Sequence, residues 1–258
     1  MNIQVLVATM HQTDHTLPGK MHITTDAIIA NQCDRNCVEA YTENGNRFLF
    51  LNFAERGVGL NRNNALMRAD GDICLFADDD MVYDDDYAET VIKAFAENPN
   101  ADVIIFNLRE KRSARYHIRR KVRVGYWNYL RYGTARVAVR LEKVRKCGIF
   151  FNQCFGGGTE HCHGEDNLFL HDCLRRGLKV IAVPMCIATL TDARESSWNR
   201  GYNEKYLLDQ GALYRTISRR WWRLLCLQDA VRRSKSYKMR WDKAYRTMVT
   251  GAKNYGLK

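Results

Sequence analysis

The 258-residue chain lacks any apolar run approaching the roughly 18 residues a spanning helix needs, so no segment reads as transmembrane. No basic region followed by a signal-like apolar core opens it, and a cytoplasmic protein is expected. Regular cysteine spacing is missing as well. Nine cysteines are scattered, Cys33 and Cys37 are not followed by a second close pair, and Cys154, Cys162 and Cys173 lie in separate contexts. That excludes an obvious disulfide framework and favours reduced, structural thiols. There is no internal repeat and no low-complexity linker. Acidic residues are scarce in two stretches. Residues 112–146 hold 12 Lys or Arg and one acid, Glu142, and residues 215–258 hold 13 basic and 2 acidic side chains. Residues 1–111 run the other way, with 9 basic and 18 acidic. The excess of the last stretch equals the net charge of the whole protein, +11. Such a tail suits an anionic membrane surface or nucleic acid.

What is present centres on the segment Gly71-Asp-Ile-Cys-Leu-Phe-Ala-Asp78-Asp79-Asp80. Ile73, Leu75 and Ala77 would face one way and Cys74 and Phe76 the other. Both faces want burial, which predicts a central parallel strand between helical layers. A strand of this kind delivers its last residues to the carboxyl edge of the sheet, where ligands of open α/β sheets bind. Asp78 and Asp80 are therefore candidates to hold a hard divalent cation through oxygen. Adjacent carboxylates repel, and a cation relieves that cost. Asp84, Asp85 and Asp86 precede an amphipathic stretch and read as helix caps.

Apolar content of 46% supports a sizeable core. Strands are expected at 2–9, 27–30, 48–53, 73–77, 102–106, 135–139 and 178–183, the last stopping before Pro184. Residues 10–21 read as a loop. Helices are expected at 60–69, with Leu60, Asn64, Met67 and Arg68 on one side, at 87–97, with Val91, Ile92 and Phe95 inward, and at 166–176, with Leu168, Phe169, Cys173 and Leu174 buried. Pro99 and Gly177 end the last two. The alternation is that of a layered α/β domain. From Tyr214 a basic helix is expected, with Trp221, Trp222, Leu224, Leu225 and Leu227 on its apolar side. That side either lies among lipid headgroups or packs on the domain.

Several residues carry two readings each. Arg62 follows a glycine-containing turn and reaches either a phosphate or a nearby Asp. Gly57 and Gly59 permit a turn and do not make a dinucleotide-binding fingerprint. Glu165 and Asp166 open a helix and can cap it. His161 and His163 alternate and share a face if extended. Trp198 can pack in the core.

Four segments together resemble family 2 glycosyltransferases of the bacterial surface-polysaccharide type. They are residues 5–9, Glu55-Arg-Gly-Val-Gly-Leu-Asn-Arg62-Asn63-Asn-Ala, Gly71 to Asp80, and Gly164-Glu165-Asp166-Asn-Leu-Phe. The resemblance spans about residues 3–190. It implies a GT-A fold: an open mixed, mainly parallel sheet flanked by helices, here with a helical basic C-terminal tail. Residues 1–110 would form the nucleotide-sugar half, 111–213 the acceptor and catalytic half, and 214–258 the tail. It implies an inverting hexosyl transfer from a nucleotide-sugar, a UDP-sugar first, to a saccharide or lipid-linked saccharide, with Mg²⁺ or Mn²⁺. Asp78 and Asp80 match the family's Asp-any-Asp motif, with His163 a further metal candidate. Thr9, Asp34 and Arg62 join the aspartates at the donor, and Asp166 acts as base with Glu165 orienting the acceptor. Gly157, Gly158, Trp198 and Tyr202 fall on the acceptor side. Similar enzymes work on the inner face of the plasma membrane, so peripheral attachment is expected. The rival readings are a sugar-phosphate nucleotidyltransferase and a nonenzymatic nucleic-acid-binding protein. The second draws on Trp221, Trp222, Tyr237 and Trp241 among the tail's cations.

Overall fold

A computed structural model of the chain describes residues 1–110, 116–191 and 201–255. The first strands are β1 (Ile3–Met10), β2 (Asp26–Gln32), β3 (Cys37–Glu43), β4 (Asn46–Phe53) and β5 (Ile73–Asp78). They are followed by β6 (Met81–Tyr83), β7 (Val103–Arg109), β8 (Val122–Val124), β9 (Val137–Arg140) and β10 (Val180–Leu190). All ten join one sheet in the order β3-β4-β2-β1-β5-β9-β7-β10-β6, with β8 paired to β10. The strands β4, β2, β1 and β5 are mutually parallel, and β7 and β10 form a second parallel pair across the antiparallel β9.

β5 behaves as its alternation predicts. Ile73, Leu75 and Ala77 enter the core on one face of the sheet, and Cys74 and Phe76 enter the core on the other. Each fully buried Leu, Ile or Phe contributes roughly 1.5–3 kcal/mol. The first face is covered by α1 (Leu17–Lys20) and α3 (Tyr87–Glu97), through Leu17, Val91 and Phe95. The second is covered by α2 (Val58–Arg68), α4 (Leu141–Lys146) and α5 (Glu165–Arg175), through Leu66, Val144 and Phe169.

Several elements differ from the sequence expectation, with β6, β8 and α4 among the unanticipated ones. Residues 10–21 include the short helix α1. β3 is an unanticipated edge strand whose residues are half-buried or exposed, so it carries little apolar signal. β10 runs on through Pro184. The strand shifts register between Ala182 and Cys186, and that irregularity accommodates a residue with no amide hydrogen to give the ladder. Asp86 sits at the N-cap of α3, but its side chain makes no capping bond there.

The helical tail starts earlier than expected, with α6 (Glu204–Ile217), and continues through α7 (Trp222–Tyr237) and α8 (Trp241–Tyr255). Leu207, Tyr214, Trp222, Cys226, Ala230, Ala244 and Met248 form a core between these helices. α6 and α8 meet backbone to backbone. A Cβ on Gly211 would stand 1.8 Å from the Met248 carbonyl oxygen, and one on Gly251 would stand 2.0 Å from that of Leu208. The apolar side of α7 is split. Trp222 is buried, whereas Trp221, Leu224 and Val231 are more than half exposed. No helix among the described residues is long and apolar enough to cross a membrane.

Candidate functional site

The carboxyl edge of the parallel strands presents a polar row one residue beyond the apolar core. Strand register sets Asn52 of β4 beside Asn31 of β2, and Asn31 beside Thr9 of β1. Hydrogen bonds run along the row. The Asn52 amide donates to Glu39 at 3.0 Å, Asn31 donates to the Asn52 carbonyl oxygen at 2.7 Å, and Gln12 donates to Thr9 at 2.9 Å. Thr9 Oγ1 then donates to Asp79 at 2.6 Å. His15 stacks on Tyr41 at the outer end of the row, with its Nε2 3.0 Å from Glu39. Asn31 and Asn52 are fully buried, so their side chains must be satisfied by neighbours, and they are. Asp34 lies beyond the row, largely exposed, and accepts from Arg56 at 2.7 Å.

Arg62 is the hub of the second half of the site. It is only 5% exposed. Nη2 donates to Asp78 at 2.8 Å, while Nη1 donates to Glu165 at 3.1 Å and Asp166 at 2.9 Å. The ion pair, one of its two sequence readings, is present. The inward face of α2 is polar, because Asn61 donates to the Ala30 carbonyl and Asn63 to that of Phe151. Those bonds fix the helix and aim Arg62 between β5 and α5. Leu60 and Met67, the apolar residues on the expected side, point toward solvent to different degrees, Met67 the more.

One guanidinium thus faces three carboxylates. Burial disfavours charge on Arg62, but Asp78, Asp166 and Glu165 outweigh it and raise its pKa. Glu165 is pushed up to about 7, first by burial and then by the neighbouring Asp166, against the pull of Arg62. The Asp166 side chain is more open, at 29% against 12% for Glu165. The glycine-rich loop closes over this pair. The Val58 amide donates to the Gly157 carbonyl at 2.9 Å, joining the loop to the start of α2. Gly156 has a φ of +105°, and a Cβ there would stand 2.8 Å from the Glu165 carboxyl. Gly158 also has a positive φ.

Asp78 ends β5 at the sheet edge, and Asp80 lies in the turn that follows. The Asp78 side chain is 38% exposed and places one oxygen on Arg62. The Asp80 carbonyl accepts from the Thr191 amide at 2.8 Å, which holds the turn. A set of carboxylate oxygens at a sheet edge fits a hard cation that takes its remaining ligands from water or phosphate. His163 does not converge with these aspartates. Its Nε2 is 2.9 Å from Gln210 and its ring stacks on Tyr206, both on α6. Burial lowers its pKa. The one group of three possible ligands among the described residues is Cys162, His163 and Asp209, whose ligand atoms lie within 4.8 Å of one another. Asp209 is already engaged, with the His161 ring nitrogen at 3.0 Å, the Cys162 amide at 3.0 Å and the Lys205 ammonium also bonded to it. Those bonds outweigh burial and hold its carboxyl below the ordinary range. The cluster therefore braces the segment leading into Glu165. Sequence reading missed Asp209, and only its distance from its partners along the chain hid it. Tyr202 packs edge-on against Tyr206 and Tyr237 in the tail. Trp198 lies outside the described residues.

Comparison with known proteins agrees with this architecture. No curated protein sequence matches the chain. Among solved structures, residues 1–349 of S. aureus TarS in complex with UDP-GlcNAc superpose with a TM-score of 0.65 at 12% identity, covering 100% of this chain and 92% of that one. The same piece in complex with UDP gives 0.62 at 14%, with the same coverage. A longer S. aureus TarS structure gives 0.60 at 15%, covering 83% of this chain and 39% of that one. These likenesses establish the GT-A fold. The family model described as glycosyl transferase family 2 matches residues 26–154, half of the chain. The chain belongs to glycosyltransferase family 2.

Proposed function

We propose that the protein transfers a hexosyl unit, with inversion, from a UDP-sugar to a saccharide or lipid-linked saccharide acceptor in bacterial polysaccharide synthesis. The observation that carries the reading is the single buried arginine that gathers Asp78, Glu165 and Asp166. It couples the end of β5, on the donor side, to the start of α5, on the acceptor side. The TarS complexes with UDP-GlcNAc and UDP support a uridine nucleotide as donor. In this reading residues 1–110 serve the donor and 111–213 the acceptor.

The polar row of Thr9, Asn31 and Asn52 lies under the nucleoside, and Asp34 is an exposed acceptor for its base. Asp78 and Asp80 would hold Mg²⁺ or Mn²⁺, which supplies positive charge for the diphosphate leaving group. Asp166, the more open carboxylate, takes the proton from the acceptor hydroxyl as the sugar bond breaks. Glu165 orients that hydroxyl from its buried position, and its raised pKa lets it donate a hydrogen bond near neutrality. Gly157 and Gly158 would serve the acceptor from the glycine loop, and Trp198 and Tyr202 remain acceptor candidates on the ground of the family resemblance alone. Family membership favours this chemistry over a nucleotidyltransferase or a nonenzymatic nucleic-acid binder.

The test is a screen of nucleotide-sugars for metal-dependent turnover, with identification of the released nucleotide. Asp166→Asn is expected to bind donor nearly normally and to transfer at least about a hundredfold more slowly. Asp80→Asn is expected to lose most activity with its fold intact. Full turnover by Asp80→Asn in metal-depleted buffer, or unchanged transfer from saturated Asp166→Asn, would remove these roles. The exposed Trp221, Leu224 and Val231, with Arg220 and Arg223 beside them, also support peripheral attachment to an anionic membrane.

A further inference from the structure

Where α6 ends and α7 begins, the chain folds back against the last turns of α8 and forms an open cleft of about 570 Å³. Arg215, Arg219, Arg220, Arg223 and Lys253 line it around the ring of Trp222. No carboxylate among the described residues lines it. Among the described residues none of these five cations is in an ion pair. The acidic residue nearest in sequence on α7, Asp229, is occupied by Arg233 at 3.1 Å and by the Tyr237 hydroxyl at 2.6 Å.

Three of the five cations lie against aromatic faces, although only Arg215 is partly buried. The Arg215 and Arg223 guanidinium carbons sit 5.6 Å and 5.1 Å from the centre of the Trp222 ring, and Arg220 lies 5.3 Å from that of Trp221. Arg215 also donates to the Arg219 carbonyl at 2.9 Å. Aromatic faces stabilise a guanidinium without neutralising it. Helix electrostatics do not account for the arrangement either. Arg219, Arg220 and Arg223 surround the start of α7, the end of a helix that disfavours positive charge, and its first turn contains no acid. Gathering five like charges around one cleft is costly, and an anion with several oxygens relieves that cost. Guanidinium groups match phosphate in two-point contact.

We propose that this cleft is a phosphate-binding site, separate from the site around Arg62, which takes a phosphoryl or phosphodiester group of a ligand. The group comes either from an anionic lipid headgroup or from a soluble phosphate compound. The assignment does not depend on the transferase chemistry, because none of its residues belongs to that site.

The experiment compares three full-length proteins: wild type, the double variant R219Q/R223Q in the cleft, and R232Q/K238Q, which removes the same charge elsewhere in the tail. All four positions are exposed, so each protein is expected to keep the wild-type melting transition. Tripolyphosphate binding is measured by calorimetry. Cosedimentation is measured with phosphatidylcholine vesicles, with and without phosphatidylglycerol. In at least one arm the cleft variant is expected to bind about tenfold or more weakly, with the other variant near wild type. Loss in the tripolyphosphate arm identifies a soluble phosphate. Loss confined to the phosphatidylglycerol arm identifies a headgroup. Equal weakening of both variants in every arm, or no binding by wild type in either, overturns the proposal.

Discussion

The sheet and the C-terminal bundle bury apolar surface by opposite means. In the sheet, side-chain volume does the filling: Phe76 meets Phe151 and Phe169 edge-on, and those two rings stack 4.3 Å apart. In the bundle, the closest approach has no side chains at all, since Gly211 and Gly251 admit the opposing helix backbone. A sheet of this kind is damaged by making residues smaller, and the bundle by making them larger. Arg62, which joins β5 to α5 on the sheet side, contributes charge instead.

The largest expected effect tests that junction. Arg62→Met leaves Asp78, Glu165 and Asp166 facing one another, and it should cost roughly 3–5 kcal/mol in urea unfolding, with loss of transfer. A cost below about 1 kcal/mol would mean that the ion cluster does not tie β5 to α5. Next comes the bundle. Gly251→Ala should cost about 1–3 kcal/mol, and hydrogen exchange should rise in α6 and α8 while β1 and β5 stay protected. Uniform exchange across both regions would erase the contrast.

Titration gives a third test. Glu165 has a folded-state pKa of about 7 against an ordinary 4.5. The folded state therefore binds the extra proton between those values. The group's stabilising contribution is complete below pH 4.5, is lost as pH rises to about 7, and is flat above. The whole change is on the order of 3–4 kcal/mol. Glu165→Gln should remove that slope, and a slope that survives the substitution would assign it to other groups. The smallest effect is expected on the outer face of α7. Leu224→Ser should stay within about 0.5 kcal/mol of wild type in the same unfolding assay, because Leu224 is 57% exposed.

The sequence made the sheet legible where both faces of a strand are apolar. The alternation of Ile73 to Ala77 assigns each side chain to the core it enters. It made β3 invisible, because an edge strand whose outer residues meet solvent needs no apolar pattern. The Asp78–Asp80 run marked the sheet edge, and Gly164-Glu165-Asp166 marked a helix start. Nothing local announced that Arg62 would meet carboxylates 103 and 104 positions later. Nor did the polar Asn61-Arg62-Asn63 run look like a buried face, since its burial is made tolerable by carbonyls supplied from β2 and the 151 segment. The split of the tail's tryptophans was equally hidden. Trp221 and Trp222 are neighbours in sequence, but Trp221 is the exposed N-cap residue before α7 and Trp222 is the buried first residue of the helix.

Tyr255, in the last turn of α8, packs 5.6 Å from Phe155 and 5.3 Å from His161, ring centre to ring centre. Those two residues belong to the segment that contains the glycine loop. During synthesis, chains fold from their N-terminal side as they emerge. The sheet, the arginine hub and the carboxylates it pairs with are all made before α8 exists. The glycine loop gains its aromatic brace only when residue 255 arrives, so a newly made chain has its buried ion cluster complete before that brace is set.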